Sequence, residues 1–255
     1  MTIDTWQLLC DRIASMKKVA VSFSGGVDST VVLASAVRML PHDHVAMFID
    51  IPMIPERQRR IAKDVAAELG ANLVTVRLCW DRMPGVRENT EDRCYHCKRA
   101  IYSAVKEFAS DGTVCVDGEN SSDVAGERPG RRAAAELGIV SPLKDLGIRR
   151  DDVMMIFNGL RLRTDVQKET CIATRIPFGV PFGDDDMEHI EECENIIRDI
   201  SGVRLIRMRM RDGRAELVTL PDEVRKLFLH IDELSSALHS KGVSYIKIDE
   251  KGYRE

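Results

Sequence analysis

Residues 24–29, Ser-Gly-Gly-Val-Asp-Ser, constrain the fold more than any other stretch of the chain. Just before them, 18–23 (KVAVSF) carries Val19, Val21 and Phe23, β-branched or aromatic side chains at strand spacing. Just after them, TVVLASAVRML continues as a helix. A strand, a glycine loop and a helix in that order make an anion site. The glycines let backbone N–H groups approach a ligand, and the helix N-terminus aligns peptide dipoles on it. Ser24, Ser29 and Thr30 add hydroxyl donors. Asp28 puts a carboxylate beside that anion, which suits a residue that helps to hold a metal or orients the loop. A plain helix cap is the blander reading, since Ser-Gly-Gly is common in turns. A P-loop kinase is excluded, because it needs GxxxxGK[ST] and this loop has no lysine.

The alternation of strand and helix continues. A leading amphipathic helix carries Trp6, Leu8, Leu9, Ile13 and Met16 at helical spacing. Residues 45–50 (VAMFID) and 71–78 (ANLVTVRL) read as strands around a helix that ends on Gly70. Residues 98–109 are helical, 113–118 (TVCVDG) a strand, 131–138 a short helix, 141–147 a turn and 151–160 a helix opened by aspartates. This order predicts an α/β fold with a parallel sheet covered on both faces. The pattern changes after Pro181. A helix with an acidic first turn precedes VRLIRMRM and RAELVTL, which flank Arg211-Asp212-Gly213 as a hairpin. A helix over 221–242 and a strand over 243–249 close the chain. The expectation is an α/β domain over 1–180 and a small α+β domain over 181–255, serving substrate binding or oligomerisation.

Composition narrows the partners. The 255 residues are 44% hydrophobic and 31% charged, as in ordinary globular proteins. The net charge of -4 and sequence pI near 5.9 supply no global field that recruits nucleic acid. No stretch approaches the roughly 20 apolar residues that span a bilayer. Asp4 and Asp11 stand where a signal peptide has a basic start and an apolar centre. A cytoplasmic protein without a membrane or nucleic-acid partner is therefore expected. Seven cysteines, an odd number, argue for metal or redox chemistry over a disulfide framework.

Cys94 and Cys97 form a CxxC that directs two sulfurs at one metal. Lys98 follows at once, a cation suited to a bound anion or to lowering a thiol pKa. Cys171 lies between Lys168 and Arg175, whose charges favour a thiolate. Cys10, Cys79, Cys115 and Cys193 read as packing residues. His96 is left out of the ligand set, since the interior residues of such a motif point away. Asn120 and Asp123 follow the strand that ends near Asp117 and Gly118, at the edge where parallel sheets bind ligands. They suit substrate or metal, or else a simple polar loop. Arg128 has a loop setting suited to phosphate or carboxylate, while Arg131 and Arg132 are assigned to a solvated helix face. Arg207, Arg209 and Arg211 share one strand face, either a solvated stripe or a seat for a nucleotide phosphate.

The string SGGVDS resembles the PP-loop of the ATP-pyrophosphatase superfamily, which includes GMP synthetases, NAD synthetases and tRNA thiolases. That resemblance implies cleavage of ATP between the α- and β-phosphates, with Ser24, Gly25, Gly26, Asp28, Ser29 and Lys98 around the nucleotide and Mg2+. The segments RCYHCKRAIY, VDGENSSD, ERPGRRAAAELG, SPLKDLG and CIATRIPFG, in that order, are similar to the LarE family of ATP-dependent sulfur transferases. The resemblance runs over most of the chain. It implies adenylylation of a carboxylate of pyridinium-3,5-biscarboxylic acid mononucleotide, then sulfur insertion, in the making of a nickel-pincer nucleotide. One branch of that family sacrifices the sulfur of a single cysteine, here Cys171. The other has three cysteines, matched by Cys94, Cys97 and Cys171, that resemble the ligands of a 4Fe-4S cluster carrying sulfide on its fourth iron. All three are present, so the cluster branch is expected, with Cys171, Lys98 and Asp28 as catalytic residues.

The same resemblance implies further roles. Arg207 and Arg209 match arginines near the nucleotide substrate, with Asn120, Asp123, Arg128 and Arg175 as further substrate residues. Glu194 and Glu216 match acidic metal ligands, and a homo-oligomer is implied. The family's further aspartate after the hairpin has no counterpart in LPDEVRKLF. Two other readings stand beside this one: a PP-loop tRNA thiolase with an iron-sulfur cluster, and a module that senses nucleotide or iron without releasing pyrophosphate. The acidic pI favours the small-molecule substrate, with sulfide as its partner.

Overall fold

The computed structural model describes residues 2–124, 129–166 and 169–253, with side chains from Thr5 onward and without those of 123, 124 and 129. The chain divides into two compact units: 1–86 with 92–168, and 87–91 with 169–255. Residues 169–180, expected with the first domain, thus belong to the second.

The first unit opens with helix α1 (Thr2–Ser15), then strand β1 (Val19–Ser22) and helix α2 (Val27–Met39). Strand β2 (His44–Asp50), helix α3 (Glu56–Leu69) and strand β3 (Leu73–Arg77) follow. Gly70 ends α3 at φ 67°, a left-handed cap that glycine adopts without strain. Next come α4 (Arg93–Phe108), β4 (Val114–Val116), α5 (Pro129–Glu136), α6 (Pro142–Asp145) and α7 (Arg150–Leu160). The four strands are all parallel in the order β3-β2-β1-β4, so the chain reverses its direction of travel across the sheet at β1 and β4. Val140 extends that edge by bridging to Val116.

Val19, Val21, Val31, Phe48, Ile61, Val65, Val116 and Leu143 are among the buried side chains that join the sheet to its helices. A sheet covered on both faces needs near-continuous apolar strands, as β1 and β2 are. Two local expectations change. Residues 141–147 hold one helical turn, α6, started by Pro142, whose fixed φ suits a first helical position. Helix α4 begins at Arg93, so the CxxC lies inside a helix instead of ahead of one.

In the second unit, α8 (Asp184–Ser201) precedes β5 (Ile206–Arg211) and β6 (Arg214–Thr219), an antiparallel hairpin. Asp212 and Gly213 turn it with φ of 50° and 70°, the left-handed pair of a two-residue hairpin loop. The expected helix over 221–242 is two, α9 (Val224–Leu229) and α10 (Ile231–His239), because His230 leaves helical geometry and caps both. Strand β7 (Tyr245–Ile248) pairs parallel with β6.

Two polar anchors hold this unit. Asn89, fully buried, donates to the carbonyls of Pro177 and Val180, each at 2.8 Å, which ties 87–91 to it. Arg175 is 1% exposed and meets the buried Glu194 of α8 through two donors, Nε at 2.8 Å and Nη2 at 3.2 Å. Its Nη1 donates to Thr170 Oγ1 at 2.6 Å and to the carbonyl of Cys171 at 3.2 Å. Glu194 also accepts the Met208 amide of β5 at 2.9 Å. One ion pair therefore fixes the Cys171 segment, α8 and β5 together. Glu194 has a second cation in Arg198, whose Nη2 lies 3.5 Å from Oε2. Arg175→Met therefore leaves the Glu194 charge paired, whereas Glu194→Leu strands the enclosed Arg175 guanidinium and should destabilise the second unit by about 3–5 kcal/mol, well beyond the loss in Arg175→Met. Urea unfolding of the two variants compares them; equal losses would contradict this account.

Candidate functional site

The crevice of the first unit opens at the carboxyl ends of β1, β2 and β4, where the strand order reverses. Parallel sheets bind ligands at this place, because loops leaving neighbouring strands diverge there. Its volume is about 320 Å³. Ser24, Gly26, Asp28 and Ser29 line one side, Phe48, Ile49 and Ile54 a second, and Lys98, Ile101 and Tyr102 a third. Asp117, Gly118, Glu119 and Arg131 complete it. The apolar side, following β2, suits a flat base. Asp50 is committed elsewhere, to Arg59 Nε at 2.7 Å.

The loop after β1 is fixed from beneath. Gln58 of α3 donates from Nε2 to the Ser24 carbonyl at 2.6 Å. A planar trans peptide then points the Gly25 N–H the opposite way. Gly25 sits at φ 74°, with Ala62 and Gln58 so near that any Cβ would lie within 2.9 Å of them. The Ser29 hydroxyl donates to the Gly26 carbonyl at 3.0 Å and lies 3.1 Å from Ser24 Oγ. Gly26 caps α2 with no side-chain bond to the helix start. The first N–H groups of any helix lack partners within it, and those of α2 open onto the crevice as an anion seat.

Asp28 is clamped on both oxygens. Asn120 Nδ2 donates to Oδ1 at 2.8 Å, and Arg150 Nη1 of α7 donates to Oδ2 at 2.6 Å. Asn120 is buried, and its own Oδ1 accepts the Ser122 amide. Gly118 passes so close to α2 that a Cβ there would stand 2.6 Å from the Ser29 nitrogen. That contact is with backbone, which has nowhere to yield. Gly118→Ala should therefore displace the loop and weaken ATP binding at least tenfold, with the protein still folded by circular dichroism; calorimetry with ATP reads it.

Along α4, residues 94, 97, 98, 101 and 102 share one face. Lys98, Ile101 and Tyr102 line the crevice, so Cys94 and Cys97 lie on its side, with Cys94 about 6 Å further along the axis than Lys98. Lys98 is exposed, with Nζ 5.1 Å from the centre of the Tyr102 ring. Tyr102, and after it Asp117, hold its pKa above the usual lysine value, so Lys98 stays charged. Burial pushes the Tyr102 phenol up in turn, and that phenol donates to Asp117 Oδ2 at 2.6 Å.

None of the seven cysteines is in a disulfide. Cys94 is exposed, Cys97 half-buried, and His96 packs over Gly85, away from the crevice face. Two thiols one helical turn apart on an accessible face have the donor chemistry that a soft metal takes. Cys171 belongs to the second unit, half-buried ahead of a short 3-10 turn. Among the described residues, no group of three or more histidines, cysteines or acids is set to hold a metal ion. Cys10, Cys115 and Cys193 are buried, and burial raises their pKa, that of Cys193 to about 11. Cys79, assigned to packing, is instead exposed, past the end of β3 and ahead of a 3-10 turn over Trp80–Arg82. Iodoacetamide at pH 8 should modify Cys94 and Cys79 first and Cys193 last in the native protein. Peptide mass spectrometry scores the order, and Cys193 reacting as fast as Cys94 would contradict it.

The remaining expected residues divide. Asp123's side chain and Arg128 lie outside the described residues. Arg175 and Glu194 bind each other, and Glu216 pairs with Arg209 at 3.6 Å and Lys247 at 3.3 Å. Arg207 is buried with its guanidinium 3.7 Å from the Tyr253 ring centre, while Arg209 and Arg211 are exposed. The shared strand face is thus half covered by the chain's own C-terminal segment. Arg132 stays on a solvated face, stacked over Tyr95. Arg131 does not: it lines the crevice and pairs with Glu119. Sequence reasoning missed Arg150, Gln58 and the inward side of Arg131, each a long-range partner without a local pattern.

The profile of the asparagine synthase family matches residues 9–141. The chain is 28% identical, over 96% of its length and 90% of the relative's, to a pyridinium-3,5-bisthiocarboxylic acid mononucleotide synthase of Lactiplantibacillus plantarum. It is 28% identical to an uncharacterized protein of Methanocaldococcus jannaschii, over 93% of this chain and 91% of the other. A Synechocystis protein, also uncharacterized, is 27% identical over 94% and 91%. Among the described residues no helix is long and apolar enough to cross a membrane.

Proposed function

The chain belongs to the asparagine synthase family, and on that footing we propose that it is an ATP-dependent sulfur transferase of the LarE type. Its substrate is pyridinium-3,5-biscarboxylic acid mononucleotide. The observation that carries this reading is one helix face: α4 presents Lys98 to the anion seat after β1 and the Cys94–Cys97 pair a turn beyond it.

The first step is activation. A substrate carboxylate oxygen attacks the α-phosphorus of Mg-ATP, its bond to phosphorus forms, and the bond to the bridging oxygen breaks with release of pyrophosphate. The N–H groups at the start of α2, the Ser24 and Ser29 hydroxyls and the Lys98 ammonium stabilise charge on the phosphates. Their work is positioning and electrostatics, because the bond changes lie within the substrates. Asp28, held by Asn120 and Arg150, keeps α2 aimed at the phosphates. The likeness to the L. plantarum synthase supports the second step, in which sulfur displaces AMP from the acyl-adenylate.

Cys94, Cys97 and Cys171 are the residues that would hold a 4Fe-4S cluster, and such a cluster supplies sulfide from an iron without a protein ligand. Arg207 and Arg209 are proposed for the nucleotide substrate, and a homo-oligomer in the cytoplasm completes the reading.

The test is a reaction under exclusion of oxygen with ATP, magnesium, sulfide and the biscarboxylic nucleotide. The expected product has sulfur in place of carboxylate oxygen, formed over many turnovers by a protein with the broad visible absorption of an iron-sulfur cluster. Cys94→Ala should remove that absorption while pyrophosphate is still released. A colourless protein that turns over once and loses the Cys171 sulfur would replace the cluster with the sacrificial route. Thiolation of tRNA with no reaction on the nucleotide would overturn the substrate.

A further inference from the structure

The crevice holds a cation that the chemistry above does not use. Arg131 lies in the first turns of α5 and lines the crevice wall, with Nε on Glu119 Oε1. Glu119 has a second cation: Lys144, within α6, donates to Oε2 at 3.1 Å. Glu119 is buried to 14% side-chain exposure, Arg131 to 21%, and Lys144 is the most exposed of the three at 39%. Two cations on one carboxylate have an asymmetric consequence. Either can leave without stranding the half-buried Glu119 charge, because the other remains. Lys144 does not line the crevice, so only Arg131 has a second place to go.

The neighbourhood favours that move. Arg131 shares the crevice with the anion seat of α2 and with Lys98, and Gly130 packs so closely on the Lys98 stem that a Cβ would lie 3.1 Å from its Cγ. That contact sets the start of α5 against the cation-bearing face of α4. A guanidinium offers a planar fork of donors that matches a phosphate, and a triphosphate offers more negative charge than one carboxylate already neutralised by Lys144.

We infer that Arg131 is a phosphate-binding residue of this crevice, parked on Glu119 while the crevice is empty and transferred to a phosphate of the incoming nucleotide, with Lys144 left to neutralise Glu119. The inference rests on the ATP reading of the same crevice. It makes Glu119 a competitor for Arg131 instead of its brace, and gives Lys144 a role in nucleotide affinity without contact with nucleotide.

The experiment is calorimetric titration of the full chain with ATP and with adenosine, with melting curves to check folding. Arg131→Met should weaken ATP about tenfold and leave adenosine unchanged, with Arg131→Lys in between. Glu119→Gln should tighten ATP several-fold, and most of that gain should vanish when Arg131→Met is present as well. Lys144→Met should weaken ATP several-fold, because Glu119 then holds Arg131 alone. If Glu119→Gln weakens ATP as Arg131→Met does, the pair is a structural brace and the inference falls. It falls equally if Arg131→Met alters adenosine and ATP alike. Wild-type protein that binds no ATP would instead overturn the reading of the crevice itself, before any variant is compared.

Discussion

The junction between the loops after β1 and β4 is the constraint on which the rest depends. Gly118 crosses the start of α2 at a distance that admits no side chain, and Asn120, two residues on, takes one oxygen of Asp28. Arg150 takes the other from the N-terminus of α7. Three segments distant in sequence are thereby locked around the first turn of one helix. The stiffness matters because an anion seat made of backbone N–H groups has no side chain with which to adjust. Its donors are useful only if the peptide planes already point at the ligand. Gln58, beneath the Ser24 carbonyl, applies the same logic to the glycine turn.

Charge in the crevice is nearly balanced before any ligand arrives. Asp28 faces Arg150, Glu119 faces Arg131 and Lys144, and Asp117 sits beneath Tyr102 and Lys98. A triphosphate entering such a site does not meet bare cations. It competes with carboxylates for cations that are already held in place, which lowers the cost of organising them at the moment of reaction. In the second unit the equivalent economy is internal: Arg175 and Glu194 satisfy each other and hold the segment that presents Cys171. That arrangement makes these two residues supports of Cys171's backbone, since each donor of Arg175 meets an acceptor of the protein.

The α/β core was legible because its signals are local. Apolar strands, glycine turns and amphipathic helices repeat within windows of about ten residues, so β1, α2, β2 and α3 follow from periodicity and caps. The loop of residues 24–29 was legible for the same reason. What escaped is non-local. Nothing near Arg150 marks it as the partner of Asp28, and nothing near Arg131 separates it from Arg132, one inward and the other on a solvated face. The break at His230 and the cover of Tyr253 over Arg207 depend on what packs from elsewhere in the unit. Arg175, expected beside the substrate, has its guanidinium almost wholly enclosed on Glu194, a long-range partner that no local pattern marks.

The reaction proposed for the crevice breaks ATP between its α- and β-phosphates to activate a carboxylate. Isotope exchange between pyrophosphate and ATP tests it most directly, because only a reversible adenylylation returns labelled pyrophosphate to ATP. Exchange that requires the biscarboxylic nucleotide and needs no sulfide is the expected result. Release of orthophosphate and ADP from ATP without exchange, or exchange indifferent to the nucleotide, would contradict it.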